Sequence, residues 1–276
     1  MKRIVVLTGS ELRHVFFRKY IALFEDIKVI NSYCEGQEKS LRVLVEKDKA
    51  TNDIRLKHLS AREQSEEDFF ELFVETTVDH SNPVHLPRGE INSPKYTQKI
   101  IDSKPDLLIA YGCSIIRNPL LSVFKRRFLN VHLGLSPYYR GSGTNYWPLV
   151  NGEPEYVGAT FMYIDAGIDT GEIVHQIRAK YSWKDSPSQN GNRLIVEMSR
   201  VYRSIIVNFE SLVKMPQIPR PSNEKVYKQK DYTEESVAIL YRNFENGLIE
   251  RYLNEEVDRC ARVPIITNPA LKPEQL

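Results

Sequence analysis

The sequence of 276 residues is poor in cysteine. It has three, Cys34, Cys113 and Cys260, which lie far apart and form no Cys-x-x-Cys pair. Such spacing favours neither a disulfide scaffold nor a structural zinc site, and we expect no metal. Apolar runs are also short: none approaches the roughly 18 residues of a membrane-spanning helix, and the run at residues 4–7 ends too soon for a signal peptide. These absences predict a cytoplasmic protein with no membrane partner.

An excess of charge of one sign is missing too. The 38 Lys and Arg residues stand against 36 Asp and Glu residues, which leaves a formal net charge of +2. This balance gives no electrostatic reason to expect a nucleic acid as partner. What is present is a hydrophobic fraction of 41%. It is enough for the core of one large domain, or of a domain with a small appendage.

Short apolar runs alternate with helical patterns along the chain. We predict strands over residues 4–7, 28–31, 107–111, 128–133, 158–164 and 171–177. We predict helices over residues 12–23, 95–103, 201–213 and 234–242, a short one from Pro119, and one or two exposed helices within 36–80 with breaks at Asn52 and Ser60. Residues 81–94 hold three prolines and a glycine, which predicts a loop. The alternation predicts an α/β fold, with a Rossmann-like, mostly parallel sheet flanked by helices.

The composition changes near residue 214. Three prolines follow between Met215 and Pro221, and the remainder is polar with irregular residues after Val263. We therefore predict one domain over residues 1–214 and a small C-terminal accessory segment over residues 215–276.

Asn130 and His132 are the first candidates for chemistry. Two residues apart on a predicted strand, they project from the same face. The strand ends at Gly134, so both lie at its carboxyl end, where open α/β sheets bind ligands. Two interpretations remain open from spacing alone. The pair is either catalytic or a hydrogen-bonded core histidine beside an asparagine that fixes a loop.

The loop that follows, residues 134–143, carries three glycines, a proline and the run Tyr138-Tyr139-Arg140. Exposed aromatic and cationic groups at this end of a sheet are typical of a binding loop, although a rigid connector would have the same composition. Farther along, Asp165 and Asp169 lie four apart in a turn punctuated by glycine. They are turn formers, or they place a carboxylate beside His132; a metal site finds no second cluster of ligands to support it.

Together, Asn130-Val131-His132, the run 136–141 and the run Asp165-Ala166-Gly167-Ile168-Asp169-Thr170-Gly171 resemble the tetrahydrofolate-dependent formyltransferases, most closely the sugar N-formyltransferases. The resemblance covers roughly residues 100–178. It implies the formyltransferase fold, a catalytic domain over residues 1–214, and N10-formyltetrahydrofolate as co-substrate. It also implies a role in dimerisation for the C-terminal segment.

The resemblance also assigns roles. Asn130 would donate to the oxyanion, His132 would act as base or as stabiliser, and Asp169 would hold His132 in place. A folate site bound largely by main-chain groups would include Tyr111, Cys113, Ile115, Ile116, Asp165, Gly167 and Ile168. We expect Cys113 to be a packing residue. For the amine acceptor we predict Ser10, Arg13, Tyr138, Tyr139 and Arg140, with His14, Tyr146 and Trp147 as further candidates.

The acceptor is predicted to be a nucleotide-linked amino sugar. Thr8-Gly9-Ser10-Glu11 has one glycine and a carboxylate where a glycinamide ribonucleotide enzyme would grip a phosphate. Residues 215–276 are short and mixed in charge, unlike the basic barrel expected of a methionyl-tRNA enzyme. Both of these enzymes remain alternatives. So does a non-catalytic Rossmann-like nucleotide-binding module, whereas a dehydrogenase would need a Gly-x-Gly-x-x-Gly turn after the first strand.

Overall fold

The computed structural model describes residues 1–38, 40–47, 53–217 and 224–271. The strands are β1 (Lys2–Gly9), β2 (Ile27–Glu35), β3 (Pro83–Leu86), β4 (Leu107–Tyr111), β5 (Phe128–His132), β6 (Tyr139–Gly141), β7 (Gly158–Tyr163), β8 (Ile173–Arg178) and β9 (Lys225–Tyr227). The helices are α1 (Leu12–Ile21), α2 (Leu41–Lys47), α3 (Ile54–Thr76), α4 (Pro94–Asp102), α5 (Leu120–Val123), α6 (Trp147–Val150), α7 (Gln189–Val207), α8 (Glu234–Glu245) and α9 (Leu248–Arg262).

Seven strands form one sheet in the order β3-β2-β1-β4-β5-β7-β8. The pairs from β3 to β5 are all parallel, and β7 is antiparallel to both of its neighbours. Helices cover both faces of the sheet. Ile4 and Val5, which are neighbours in β1 and point to opposite faces, are therefore both fully buried. The predicted mostly parallel α/β sheet is confirmed. Among the described residues, no helix is long and apolar enough to cross a membrane.

Several boundaries differ from the prediction. The predicted loop 81–94 contains β3, which begins at Pro83. Proline is tolerated there because β3 lies at the edge of the sheet and Pro83 is its first residue. The predicted break at Ser60 is wrong, since α3 runs through it with Leu59 and Phe70 buried beneath. The break predicted at Asn52 lies outside the described residues.

The helix predicted over residues 201–213 corresponds to α7, which begins at Gln189 and ends at Val207. Its apolar side chains recur every three or four residues from Leu194 to Ile205 and are buried, so its packing against the sheet extends the helix toward its N-terminus. Helix α9 was not predicted, because its sequence is polar apart from a narrow stripe that includes Leu248 and Tyr252.

The C-terminal segment shares the main core. One cluster of buried apolar residues contains Leu240 and Tyr252 from this segment together with Phe161 and Tyr202 from the sheet domain. The predicted boundary at residue 214 and the predicted role in dimerisation both stay predictions.

Candidate active site

A cavity of about 620 Å³ opens where β1, β4 and β5 reach their carboxyl ends. Its lining includes Ser10 after β1, Gly112 after β4, and Asn130 and His132 at the end of β5. Parallel strands bring these ends to one edge of the sheet, which is why residues far apart in sequence meet here.

His132 lies between two acceptors. Its Nδ1 lies 3.3 Å from Oδ2 of Asp169, and its Nε2 lies 3.0 Å from the carbonyl oxygen of Tyr139. The imidazole is 7% exposed. Both ring nitrogens therefore face an oxygen atom, which fixes the orientation of the imidazole.

Asn130 lies on the same face of β5 and lines the cavity. Its side-chain amide forms no hydrogen bond with any described residue, although the position is only partly exposed. An amide donor that the fold leaves without a partner beside His132 is available to a bound ligand.

The turn around Asp169 has a specific shape. Asp169 adopts a positive φ of 52°, and its Oδ2 accepts a hydrogen bond of 3.2 Å from the N–H of Gly141. Asp165 Oδ1 accepts from the N–H of Gly167 and from the hydroxyl of Thr170, at 2.9 and 2.8 Å. A Cβ on Gly167 would lie 1.9 Å from that hydroxyl oxygen. Asp165 and Gly167 therefore build the turn that carries Asp169.

Two buried polar side chains, Thr160 and Gln176, form hydrogen bonds with the main chain of the loop after β5. The hydroxyl of Thr160 donates to the carbonyl of Gly134 at 2.7 Å and accepts from the N–H of Ser136 at 3.0 Å. Gln176 donates to the carbonyl of Ser136 at 2.8 Å. Gly134 leaves room for the catalytic candidate, because a Cβ there would lie 2.7 Å from Nε2 of His132.

The residues predicted for the folate site divide into two groups. Tyr111, Cys113, Ile115 and Ile168 line the cavity. Ile115 and Ile168 are 65% and 53% exposed, so the cavity has an uncovered apolar part. Burial, followed by the nearby charge of Glu35, raises the pKa of the Cys113 thiol to about 12. A thiol with so high a pKa is protonated at neutral pH. The role of Cys113 as a packing residue stays a prediction.

The other three do not line the cavity. Ile116 is 4% exposed and belongs to the core on the opposite face of the sheet. Asp165 and Gly167 are exposed and engaged in the turn described above. Asp165, through its carboxylate, and Gly167, through its main chain, shape the turn beside the site, and neither lines the cavity.

The loop residues predicted to bind the acceptor lie away from the cavity surface. Tyr138, Tyr139 and Arg140 do not line the cavity. Tyr139 is 1% exposed and its hydroxyl donates to Glu153. Arg140 is 7% exposed, forms an ion pair with Glu224, and donates to the carbonyl of Ile168 at 3.2 Å. The composition of the loop is typical of a binding loop, but packing directs the side chains of Tyr139 and Arg140 into the protein, whereas Gly141, Ser142 and Gly143 line the cavity.

Ser10 and Arg13 do line the cavity, at the start of α1. The guanidinium of Arg13 lies 2.6 Å from Glu66 and also pairs with Glu11. Burial alone would lower the pKa of Arg13, but these two carboxylates raise it overall. Because both carboxylates already neutralise it, Arg13 is a poor partner for a phosphate.

Sequence reasoning missed the wall that α3 provides. His58, Arg62 and Glu66 follow one another at intervals of four residues, which places them on one face of the helix, and all three line the cavity. This spacing was visible in the sequence within the charged stretch 36–80. Lys228 and Tyr232 from the C-terminal segment line the cavity as well.

Two buried histidines on this side are held neutral. Burial lowers the pKa of His58 to about 4, with a further contribution from Arg62. Burial, followed by the charges of Arg13, Arg88 and Arg62, lowers the pKa of His14 well below its usual value. His14 Nδ1 accepts from the N–H of Glu11 at 3.3 Å. The other nitrogen of His14 therefore carries the proton.

Comparison with known proteins is consistent with this geometry. A family model described as Formyl transferase matches residues 2–206. The methionyl-tRNA formyltransferase of Alkaliphilus oremlandii (strain OhILAs) is 30% identical over 155 residues, which is 55% of this chain and 49% of the relative. The chain thus spans about half the length of the curated relatives it matches.

Solved structures are similar at lower identity. A sugar N-formyltransferase from Shewanella sp FDAARGOS_354 has a TM-score of 0.54 at 14% identity, covering 84% of this chain and 78% of the other. An N-formyltransferase from Helicobacter canadensis, in complex with folinic acid and dTDP-3-aminofucose, has a TM-score of 0.52 at 16% identity, covering 84% and 73%. At these identities the likeness shows a common fold.

Proposed function

Because this chain belongs to the formyl transferase family, we propose that it transfers a formyl group from N10-formyltetrahydrofolate to the primary amine of a nucleotide-linked amino sugar. One observation carries the proposal. The free amide of Asn130 and the paired imidazole of His132 open into a single cavity, whose far wall consists of polar residues of α3.

The residues present fit a folate donor. Ile115 and Ile168 expose apolar surface to the cavity. Gly112 has no side chain, so the main chain at this position is accessible to a ligand. When bound, the folate supplies the formyl carbon and leaves with a proton on N10. The residues that would hold it are Ile115 and Ile168 through their side chains and the Tyr111–Cys113 segment through its main chain.

The chain's own groups suit this chemistry. Attack by a neutral amine places negative charge on the formyl oxygen, and the Asn130 amide is the donor for that charge. One such donor is worth about 3 kcal/mol of transition-state stabilisation. His132 takes a proton from the attacking nitrogen and returns one to the departing nitrogen, N10 of the folate. Asp169, which lies 3.3 Å from Nδ1, fixes the orientation of the ring.

The wall opposite supports a small polar acceptor. Arg62 lies 3.9 Å from Glu11 and 3.6 Å from Glu66, while Arg42 lies 2.5 Å from Glu63. Cations that already face carboxylates attract a polyanion weakly. Nε of Arg62 faces Glu66 at 3.6 Å without a hydrogen bond to it. Because Arg62 lines the cavity, we infer that its guanidinium donates to a hydroxyl of the sugar. Exposed Lys228 lines the same cavity and suits a phosphate.

A methionyl-tRNA acceptor is the second candidate, since the curated relatives quoted above bear that name. The two acceptors differ in how they respond to salt. Binding of tRNA would weaken steeply as salt rises, because many phosphates are neutralised together, whereas a nucleotide sugar carries two phosphates and responds little.

The test is an assay of purified protein with N10-formyltetrahydrofolate and a panel of UDP- and dTDP-linked amino sugars, with initiator methionyl-tRNA as a parallel arm. Mass spectrometry would detect the formamide, and Asn130→Ala serves as the inactive comparison. Formylation of a nucleotide sugar by wild type alone supports the proposal. Formylation of the tRNA alone selects the second candidate, and no formyl transfer in either arm contradicts both.

A further inference from the structure

The C-terminal segment contacts both stretches of chain that partner His132. One stretch is β6, which contributes the carbonyl of Tyr139 and the N–H of Gly141. The other is the turn 168–171, which contributes Asp169. Neither stretch is supported by the sheet alone, so the relative position of the three groups depends on what holds these two stretches together.

Strand β9 holds the first stretch. It pairs in parallel with β6, and the N–H of Ser142 donates to the carbonyl of Tyr227 at 2.9 Å. A Cβ on Gly141, whose φ is 91°, would lie 2.2 Å from that carbonyl oxygen. The ring of Tyr227 stacks on Trp147 with centroids 4.2 Å apart and planes 6° apart. β6 and β9 are thus in close contact through both main chain and side chains.

Gln217 holds the second stretch. Its Nε2 donates to the carbonyl oxygen of Asp169 at 2.8 Å and to that of Gly171 at 3.0 Å. Just before it, Met215 exchanges two main-chain hydrogen bonds with Ile173, of 2.7 and 3.0 Å. Asp169 has a positive φ, which costs conformational energy for a residue other than glycine. The amide of Gln217 opposes relaxation of that turn.

Glu224 joins the two stretches through Arg140. Arg140 belongs to β6, pairs with Glu224, and donates through Nε to the carbonyl of Ile168 at 3.2 Å. The side chains of Glu224 and Arg140 are 14% and 8% exposed. Because little solvent reaches this ion pair, water screens its attraction weakly, and the pair restrains the positions of both side chains.

We propose that Gln217 and Glu224 are positioning residues that hold Asp169 and Tyr139 at the two nitrogens of His132. The segment after residue 214, predicted from the sequence as a dimerisation segment, then works on the chemistry of its own chain. The kinetic part of this proposal rests on the proposed formyl transfer, whereas the arrangement around His132 can be measured without any acceptor.

The first test uses Gln217→Met, which keeps the length of the side chain and removes its N–H donors. We expect kcat to fall about tenfold with the KM for formyl-folate nearly unchanged, because the reacting groups are misplaced while the folate walls are intact. In an Asp169→Asn background the same change should have little further effect, since Gln217 acts through Asp169. Equal losses in both backgrounds would overturn the proposal.

The second test needs no substrate. Imidazole signals of His132, assigned by their loss in His132→Asn, are recorded by ¹H–¹⁵N NMR for the free protein. We expect them to move in Gln217→Met and in Glu224→Gln. They should stay in place in two matched controls, Gln98→Met and Glu197→Gln. Those controls remove a glutamine hydrogen bond of 2.8 Å to Asp102 and an ion pair of 3.3 Å with Lys180. None of these residues lines the cavity.

The outcomes separate the two proposals. Unmoved His132 signals in both folded variants refute the positioning role whatever the kinetics show. Moved signals in a protein that formylates no acceptor leave the positioning role standing and refute the proposed function. Should Gln217→Met fail to unfold cooperatively, Glu224→Gln keeps the shape of its side chain and decides the matter by the same two measurements.

Discussion

The carboxylate of Glu35 accepts a 2.5 Å hydrogen bond from the N–H of Ser114, a residue 79 positions farther along the chain. Its other oxygen accepts from the N–H of Gly89 at 2.8 Å, and Arg88 lies 3.4 Å away. Glu35 is 1% exposed. A buried carboxylate therefore ties the ends of β2, β3 and β4 together beside the segment that we propose for the folate.

Replacing Glu35 by Gln should destabilise the protein and weaken donor binding. The carboxylate faces main-chain N–H groups at both oxygens, and Gln would turn an NH2 group toward one of them while leaving Arg88 without its counter-charge. We expect the free energy of unfolding to fall by about 3 kcal/mol, as measured by urea denaturation, and the KM for formyl-folate to rise. The exposed Glu90→Gln should change neither quantity.

Asn130→Ala should lower kcat by about 10²-fold or more, as expected for the loss of one oxyanion donor. The KM for formyl-folate should change little, because the ground-state carbonyl gains less from the donor than the oxyanion does. Steady-state rates at saturating acceptor measure this, with the exposed Asn246→Ala as control. A rise in KM at unchanged kcat would show that Asn130 binds substrate without acting on the transition state.

Arg62→Met should affect the acceptor and spare the donor. Arg62 lines the cavity on the α3 side, and we propose that its guanidinium binds the acceptor. Loss of a hydrogen bond to a charged donor should raise the KM for the acceptor about tenfold. Initial rates at varied concentrations of each substrate separate the two KM values. If only the KM for formyl-folate rises, the assignment of the α3 wall to the acceptor is wrong.

Stability should fall in mild acid because of buried neutral histidines. Burial lowers the pKa of His175 from 6.5 to about 4, and its Nδ1 accepts from the N–H of Asn268 at 3.0 Å. Between pH 6.5 and about pH 4, His175 binds a proton in the unfolded chain but not in the folded chain. The stability contributed by His175 is therefore present above pH 6.5 and is lost as the pH falls toward 4.

One such group should cost about 2 kcal/mol of unfolding free energy between pH 7.5 and pH 5, at about 1.4 kcal/mol for each pH unit. His175→Asn keeps an acceptor near Asn268 and removes the titration, so its unfolding free energy should vary less with pH than that of wild type. Urea denaturation at both pH values measures the difference. The exposed His80→Gln should follow wild type, and identical slopes for all three proteins would refute the assignment.

The sequence by itself determined most of the sheet and the placement of the two residues of β5 that we propose for catalysis. Buried strands of β-branched residues that alternate with amphipathic helices can be arranged in only a few topologies. Side chains two residues apart on a strand share a face, which placed Asn130 and His132 together. The sequence also shows Asp165, Gly167 and Asp169 within one short run, which forms the turn between β7 and β8. These features are local, because neighbouring residues in the chain specify them.

Only the tertiary structure decided the surroundings of that set. Composition could not show that Arg140 turns inward to Glu224, or that α3 forms a wall of the cavity, because both depend on residues that are distant in sequence. Nor could it show that Gln217 supports Asp169 from the segment predicted to be accessory. The type of a residue indicates whether its side chain prefers water or burial. The partner that meets its charge or its hydrogen bond depends on the packing of the whole chain.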